Sequence, residues 1–510
     1  MLKKHYKLKL ILFGTIIILF HNCWAQNITK GPYLADPSPN SISIRWEVDS
    51  KTDGKVVFGL NDSFDLSQEA ELVGQKNDHF LYNARLTEIQ HSVRYHYKII
   101  CGKTKSAVNS FETMNSSSKD LRFVAMGDSR SNHDIFRAIV EQVNGVDPDL
   151  IISMGDLVET GGKYSQWGPH FFTPASDLLD HKMFISTLGD HETGGDNGEL
   201  FRHFLVPDEK VDELWFSFDY GSAHFISLDY RHPENGKMIE WFKQDITNSK
   251  AKWNFVFMHR PCYNLGGHRT AWGRGTWPEL FRKYKVDLVF AGHSHQYERF
   301  HPMRPQNMKN SHPVTYITTG GAGAGLYEVV QHAFLAKAES VNHFMSFEIS
   351  GNTLNCNVYL NDGSMLDQFK IVKKKSLYNS EYLAEVISQG DVDIYTMFAR
   401  KISFGIDMLP MDDVPVIVNL SLKSINSFED VPFEISLLPE CTEYYSMEAV
   451  SGVLNKNSKL DVPLKVFRHA PIKISQWGNI TPALRLIVKY KTTSGIEEII
   501  GGAVEYWPED

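Results

Sequence analysis

Five apolar runs in the middle of this 510-residue chain each end in a short turn carrying carboxylates or imidazoles. RFVAM leads into Gly127-Asp128-Ser129-Arg130, DLIISM into Gly155-Asp156-Leu157-Val158-Glu159, and KMFISTL into Gly189-Asp190-His191-Glu192. WNFVF leads into Met258-His259-Arg260-Pro261, and VDLVFA into Gly292-His293-Ser294-His295. Short continuous apolar runs of this kind read as strands buried on both faces, the form strands take in a largely parallel sheet. Loops at the carboxyl ends of such strands are where an α/β sheet gathers its ligands. The middle of the chain is thereby confined to strand–loop–helix units with one functional edge.

The segments between the runs fit that frame. Residues 133–144 (HDIFRAIVEQVN) put Ile135, Ile139 and Val143 on one helical face, and residues 237–246 and 276–284 repeat the spacing. Strand and helix alternate from residue 121 to 372, which predicts an α/β domain with helices outside a parallel core. Its last part, residues 344–371, alternates apolar and polar residues around an Asn361-Asp362-Gly363 turn, so an antiparallel edge is expected. Residues 27–115 alternate with period two between turn residues, as in SISIRWEV and KVVFGL, and predict an all-β sandwich. A polar linker follows at 115–120. Residues 373–408 read as a mixed linker with a helix at 380–388, and residues 409–510 as a second all-β sandwich.

The first 25 residues carry Lys3, Lys4, Lys7 and Lys9 ahead of an apolar run from Leu8 to Phe20 and a small residue, Ala25. That is the pattern of a secretory signal peptide, too short for a membrane span. Its removal takes four lysines and no acids, moving the formal charge from −9 to −13. An acidic mature chain, exported to the periplasm, cell surface or medium, follows, with no transmembrane segment and no nucleic-acid-binding surface. Cys101, Cys262, Cys356 and Cys441 lie far apart without a CxxC pair, so no zinc knuckle is encoded.

A lone Gly-Asp at a strand end is usually a turn, since both residues favour tight turns. Three of them, with His259 and the His293/His295 pair, each at the end of an apolar strand, exceed that explanation. The six groups suit two divalent ions. Mixed imidazole and carboxylate ligation fits Zn, Mn or Fe without choosing among them. Two such cations polarise phosphoryl oxygens and lower the pKa of bound water, chemistry that serves phosphoester hydrolysis.

The order Gly-Asp, Gly-Asp-x-x, Gly-Asp-His-Glu, His-Arg-Pro, Gly-His-x-His-x-Tyr-Glu-Arg resembles the calcineurin-like metallophosphoesterases, and among them the purple acid phosphatases. GPYLADPSPNSISIRW resembles that family's N-terminal fibronectin-type domain, so the likeness covers residues 27–372. It implies a four-layer αββα core flanked here by N- and C-terminal sandwiches. It also implies a bridging Asp156, a first site completed by Asp128 and His295 with position 159 beside them, and a second completed by Asp190, His259 and His293. His191 would bind a phosphoryl oxygen or protonate the leaving alkoxide. Three positions depart from the pattern. Glu159 stands where the purple enzymes carry the tyrosine that gives their colour, Asp190 where Asn is usual, and Arg130 where Gly or a ligand His is found. Arg130 would either clamp phosphate or pair with Glu159. His268, in the loop after His259, is a further candidate for phosphate contact.

These readings lead to an exported two-metal phosphomonoesterase acting on small phosphoesters. A phosphodiesterase is the near alternative, and a non-catalytic glycan- or surface-binding protein with a degenerate site is the alternative of another class.

Overall fold

The structure, a computed structural model, describes residues 27–505 apart from 39, 115–117, 119, 207–212, 375–376, 405–414, 425–428 and 475–478. The expected signal segment and most of the 115–120 linker lie outside the described residues. No described helix is long and apolar enough to cross a membrane.

The apolar runs form strands, and they divide between two sheets. β1 (Asp120–Met126), β2 (Leu150–Ser153) and β3 (Met183–Ser186) are parallel neighbours in the order β3-β2-β1. β4 (Ala223–Ser227), β5 (Trp253–Met258), β6 (Leu288–Ala291) and β7 (Thr315–Thr319) are the parallel centre of the second sheet. Antiparallel strands bring each sheet to seven. In the first they are β8 (His343–Ser350), β9 (Thr353–Leu360), β10 (Met365–Lys374) and Leu377–Tyr378. In the second they are Phe216–Tyr220, Tyr297–Phe300 and Leu335–Glu339. The predicted antiparallel edge is thus larger than an edge. β8 pairs directly with β1, and short hairpin turns carry the chain out through β9 and β10.

Period-two alternation decides the layers. One parity meets between the sheets, where Phe123 stacks on Phe347 at 4.5 Å and meets Phe225 edge-on at 5.2 Å, with Phe255 and Phe290 alongside. The other parity faces helices. α1 (His133–Val146) buries Phe136, Ile139, Val140 and Val143, a face rotated slightly from the predicted one, since Ile135 stays half-buried. α2 (Gly236–Asn248) buries Met238, Phe242 and Ile246, and α3 (Trp277–Lys283) buries Trp277 and Phe281. The Asn132 and Asn235 side chains accept the first free N–H groups of α1 and α2, fixing where those helices begin. The core is a four-layer αββα stack.

The N-terminal strands form two facing sheets, with Trp46, Tyr82 and Tyr97 buried between them. This sandwich is joined to the core by a buried guanidinium. Arg45, 2% exposed, donates to the carbonyls of Phe204 (2.9 Å), His203 (3.2 Å) and Val206 (3.4 Å) at the end of the helix Glu199–Leu205. Those carbonyls have no partner within the helix, so the arginine satisfies them across the interface. A buried Lys30–Glu47 pair beneath the Tyr164 hydroxyl adds to the contact.

Residues 373–408, expected to be a linker, carry a short helix at Ser380–Ala384 and then α4 (Gln389–Phe404), which the sequence reading did not anticipate. Phe398 of α4 packs on Phe433 (5.7 Å) and Tyr490 (5.1 Å), so the segment belongs to the C-terminal core. Beyond it, Val416–Lys423 pairs with Lys459–Arg468, and Val431–Leu437 pairs with Val450–Leu454 and β11 (Asn479–Thr492). β12 (Gly495–Glu505) lies antiparallel to β11. Cys101, Cys262, Cys356 and Cys441 are buried free thiols.

Candidate metal centre

The carboxyl ends of both sheets open on one edge, and each sheet sends a different chemistry there. β1, β2 and β3 of the first sheet lead to Asp128, Asp156 and Asp190. β5 and β6 of the second lead to His259, His293 and His295. Carboxylates and imidazoles meet across the seam. Ligand atoms of Asp190, His259 and His293 lie within 4.8 Å of one another, as do those of Asp128, Asp156 and His259.

The turns that deliver these groups are tight enough to strain the backbone. Asp128 (φ 61°), Asp156 (φ 56°) and His293 (φ 67°) are all non-glycine residues in the left-handed region. Such conformations cost on the order of 1 kcal/mol each and persist only where surroundings impose them. Gly292 shows why its neighbours tolerate no bulk. A Cβ there would lie 2.3 Å from Asp128 Oδ2. In exchange the His293 N–H donates to both Asp128 oxygens at 3.0 Å.

Imidazole orientation is set by backbone carbonyls, which only accept. His259 Nδ1 is 2.8 Å from Met154 O, and His295 Nδ1 is 2.6 Å from Gly325 O. Each Nδ1 therefore carries the proton, and a neutral ring then presents the Nε2 lone pair to the site. His259 Nε2 is buried without a hydrogen-bond partner, 3.4 Å from Asp156 Oδ1 and 3.8 Å from Asp190 Oδ2. His295 Nε2 is 3.6 Å from Asp128 Oδ1, and burial pushes its imidazole down to about 4, so it is neutral at pH 7. Arg130 Nη2 lies 3.5 Å from His295 Nε2, whereas at His259 lone pairs face lone pairs and repel unless a cation stands between them. The donor set fits divalent metal.

The electrostatics agree. Burial, then the Asp156 charge, holds the Asp128 carboxyl well above the usual range. Burial also opposes ionisation of Asp190, but hydrogen bonds from His293 and Arg260 and the nearby His259 hold its carboxyl well below that range. The Arg260 fork reaches both Asp190 oxygens through Nε at 3.0 Å each and through its terminal nitrogen at 2.9 Å.

Asp128, Asp156, Asp190, His259, His293 and His295 come together. His191 stands beside them, with Nδ1 2.7 Å from Glu159 O and Nε2 3.9 Å from Asp156 Oδ2. Glu159 lies outside both donor clusters. Its carboxylate is taken by Ser131 and by Arg130 at 3.1 and 3.2 Å, so of the two roles weighed for Arg130 it is the pairing with Glu159 that is observed. His268 stacks on His293 at 4.4 Å. The aromatics Trp167, Phe171, Tyr263 and Trp272 are buried packing residues, and burial pushes the Cys262 thiol up to about 12.

Three groups escaped the sequence reading. Glu192 is buried and accepts the backbone N–H groups of Asp156, Leu157 and Gly189 at 2.8, 2.6 and 2.8 Å, pinning two ligand turns together. Its place one residue after His191 was visible, but its target is backbone 35 residues away. Arg260 was visible beside His259, though not its partner. Tyr327, stacked on His295 at 4.4 Å, comes from a loop with no motif at all.

Residues 121–297 match the calcineurin-like phosphoesterase family. Probable inactive purple acid phosphatase 1 of Arabidopsis thaliana is 25% identical over 317 residues, covering 51% of this chain and 51% of that protein. Purple acid phosphatase 23 of the same plant is 28% identical over 295 residues, covering 48% and 62%. The chain thus spans between half and two thirds of these relatives' length. Purple acid phosphatase PPD1 from yellow lupin shares the fold, with a TM-score of 0.60 at 18% identity over 69% of this chain and 75% of that one.

Proposed function

From a chain whose residues 121–297 form a calcineurin-like phosphoesterase domain, close in sequence to the purple acid phosphatases, we infer a metal-dependent hydrolase of phosphoesters, with monoesters as its main substrates. The observation that carries this reading is the carbonyl-pinned imidazole of His259, whose buried Nε2 has no hydrogen-bond partner and faces oxygens of Asp156 and Asp190 with no proton donor between them. Asp128, Asp156, Asp190, His259, His293 and His295 would hold two divalent ions, and those ions would supply positive charge to the phosphoryl oxygens and an acidified water.

The protein's own groups do the rest. Asp156, at the centre, is kept in place by the His191 N–H, which donates to Oδ1 at 2.9 Å. His191 Nδ1 is tied to Glu159 O, so Nε2 is the atom free to carry a proton toward a departing alkoxide or to hydrogen-bond a phosphoryl oxygen. Arg130, with Nε 3.5 Å from Asp156 Oδ2, adds a fixed positive charge at the rim. The export signal read at residues 1–25 would put this chemistry outside the cytoplasm.

Glu159, held by Arg130 and Ser131, supports a second reading in which the first site is incomplete and the domain binds without turnover. Elemental analysis after reconstitution, with rates on matched aryl mono- and diesters, separates the readings. Two ions per chain with monoester turnover, both lost in H259A, is the expected result. Fewer than one ion and no turnover would favour the second reading, and comparable diester rates would overturn the monoester preference.

A further inference from the structure

The space beside the imidazoles does not end within the phosphoesterase domain. His268, stacked on His293, has Nε2 3.0 Å from the Tyr327 hydroxyl, and Tyr327 in turn stacks on His295. From these rings an open cleft of about 530 Å³ runs past Arg269 and Glu328 to Arg485 and Ile500 on β11 and β12 of the C-terminal domain. The far wall is therefore built by a part of the chain that lies outside the likeness to phosphoesterases.

That wall has a definite chemistry. Arg485 and Gly502 are cross-strand partners and so share a face with Ile487 and Ile500, two residues along. Gly502 has φ +149°, and a Cβ there would lie 2.0 Å from Leu484 O, so only glycine fits where the two strands meet beside Arg485. Ile500 is 54% exposed despite its size. Arg485 is exposed on the strand and forms no ion pair among the described residues. Among the residues lining the cleft, Glu328 is the one carboxylate beside Arg485.

The wall is also held in register with the metal centre. Arg274, in the loop that follows His259 and carries His268, is 9% exposed. It donates to Cys262 O at 2.9 Å and to Thr396 Oγ1 of α4, and lies over the Tyr263 ring at 4.4 Å. A buried cation thus ties the histidine-bearing loop to the helix on which the C-terminal core is packed.

We propose that the C-terminal domain forms a leaving-group subsite, selecting phosphoesters whose leaving group combines an apolar body with a second anionic group, the former on Ile500 and the latter on Arg485. The proposal rests on the phosphoesterase reading of the metal centre. The test uses the full chain, reconstituted with metal, as wild type and R485E. Hydrolysis of phenyl phosphate and 4-carboxyphenyl phosphate is compared, together with calorimetric binding of phenylphosphonate and 4-carboxyphenylphosphonate. R485E is expected to lower kcat/KM for the carboxylated ester about tenfold, mostly through KM, and to leave phenyl phosphate within about twofold. Equal losses on both esters, or no loss on either, overturn the subsite. If wild type turns over neither ester, the phosphoesterase reading fails, and the phosphonates still decide the subsite. A carboxylate preference in wild type that R485E abolishes supports it, and equal binding of the two phosphonates to wild type overturns it.

Discussion

Replacing Glu192 by Gln separates what its charge does from what its shape does. In the metal-free protein its Oε2 accepts from Asp156 N and Gly189 N at 2.8 Å each, and Oε1 from Leu157 N at 2.6 Å and Val158 N at 3.4 Å. An amide keeps one acceptor, and its NH2 group does least harm at Oε1, against Leu157 and the longer Val158 contact. Losing those bonds costs about 2–4 kcal/mol whenever the carboxylate is ionised. Against this, burial and the Asp156 charge push the Glu192 carboxyl up to about 8. A carboxyl raised on folding carries no penalty while both states are protonated, below about pH 4.5. The penalty then grows as pH rises toward 8, reaching about 3 kcal/mol at pH 7. Without metal the carboxyl is therefore mostly protonated at pH 7 and, like an amide, keeps one strong acceptor oxygen, so apo E192Q should unfold within about 1 kcal/mol of wild type. Cations on Asp156 relieve the repulsion and leave the lost hydrogen bonds uncompensated. Metal-loaded E192Q should fall behind by about 2–4 kcal/mol, a thirty- to thousandfold weaker affinity. Thermal melts and calorimetric titration with Zn(II) or Mn(II) read both quantities. The same metal-induced rise in Tm for both proteins would refute the reasoning.

R45M removes the donors that close the helix Glu199–Leu205 and should destabilise the joined N-terminal and middle domains by about 2–3 kcal/mol. An unchanged melting profile would show that the interface is held elsewhere. His224 is held by Asp219 at 2.7 Å and Asp245 at 2.9 Å; burial opposes its charge, but the two carboxylates raise it to about 9. A histidine raised on folding gives stability fully present below about pH 6.5 and lost as pH climbs through 9, here about 2 kcal/mol after allowance for the exposed Asp219. Denaturation midpoints should fall over that window in wild type and stay flat in H224Q, and parallel profiles would count against the assignment. Reconstituted with iron, the protein should show no visible tyrosinate band, because the likeness to the purple acid phosphatases would put Glu159 at the tyrosine position. A purple preparation would contradict that.

The strands were legible because burial on both faces leaves continuous apolar runs, and their ends were legible because tight turns need glycine. The ligand candidates were legible for the same reason, each directly following its strand. Other features were not. The helix Gln389–Phe404 carries no such signal, because its core residues, Phe398 and Ile402, answer to strands that come later in the chain. Glu192 and Arg260 gave no local signal, since one serves distant backbone and the other a carboxylate 70 residues away.

By itself, the sequence determined which side chains reach the edge of the core, because that depends on strand length and turn chemistry, both local properties. Tertiary structure alone decided that the three aspartates come from one sheet and the three histidines from the other. It also decided that the carbonyls of Met154 and Gly325 turn two imidazoles inward, and that a strand from the last domain stands across the cleft. These depend on which faces pack together, and packing joins residues whose separation along the chain carries no trace of their contact.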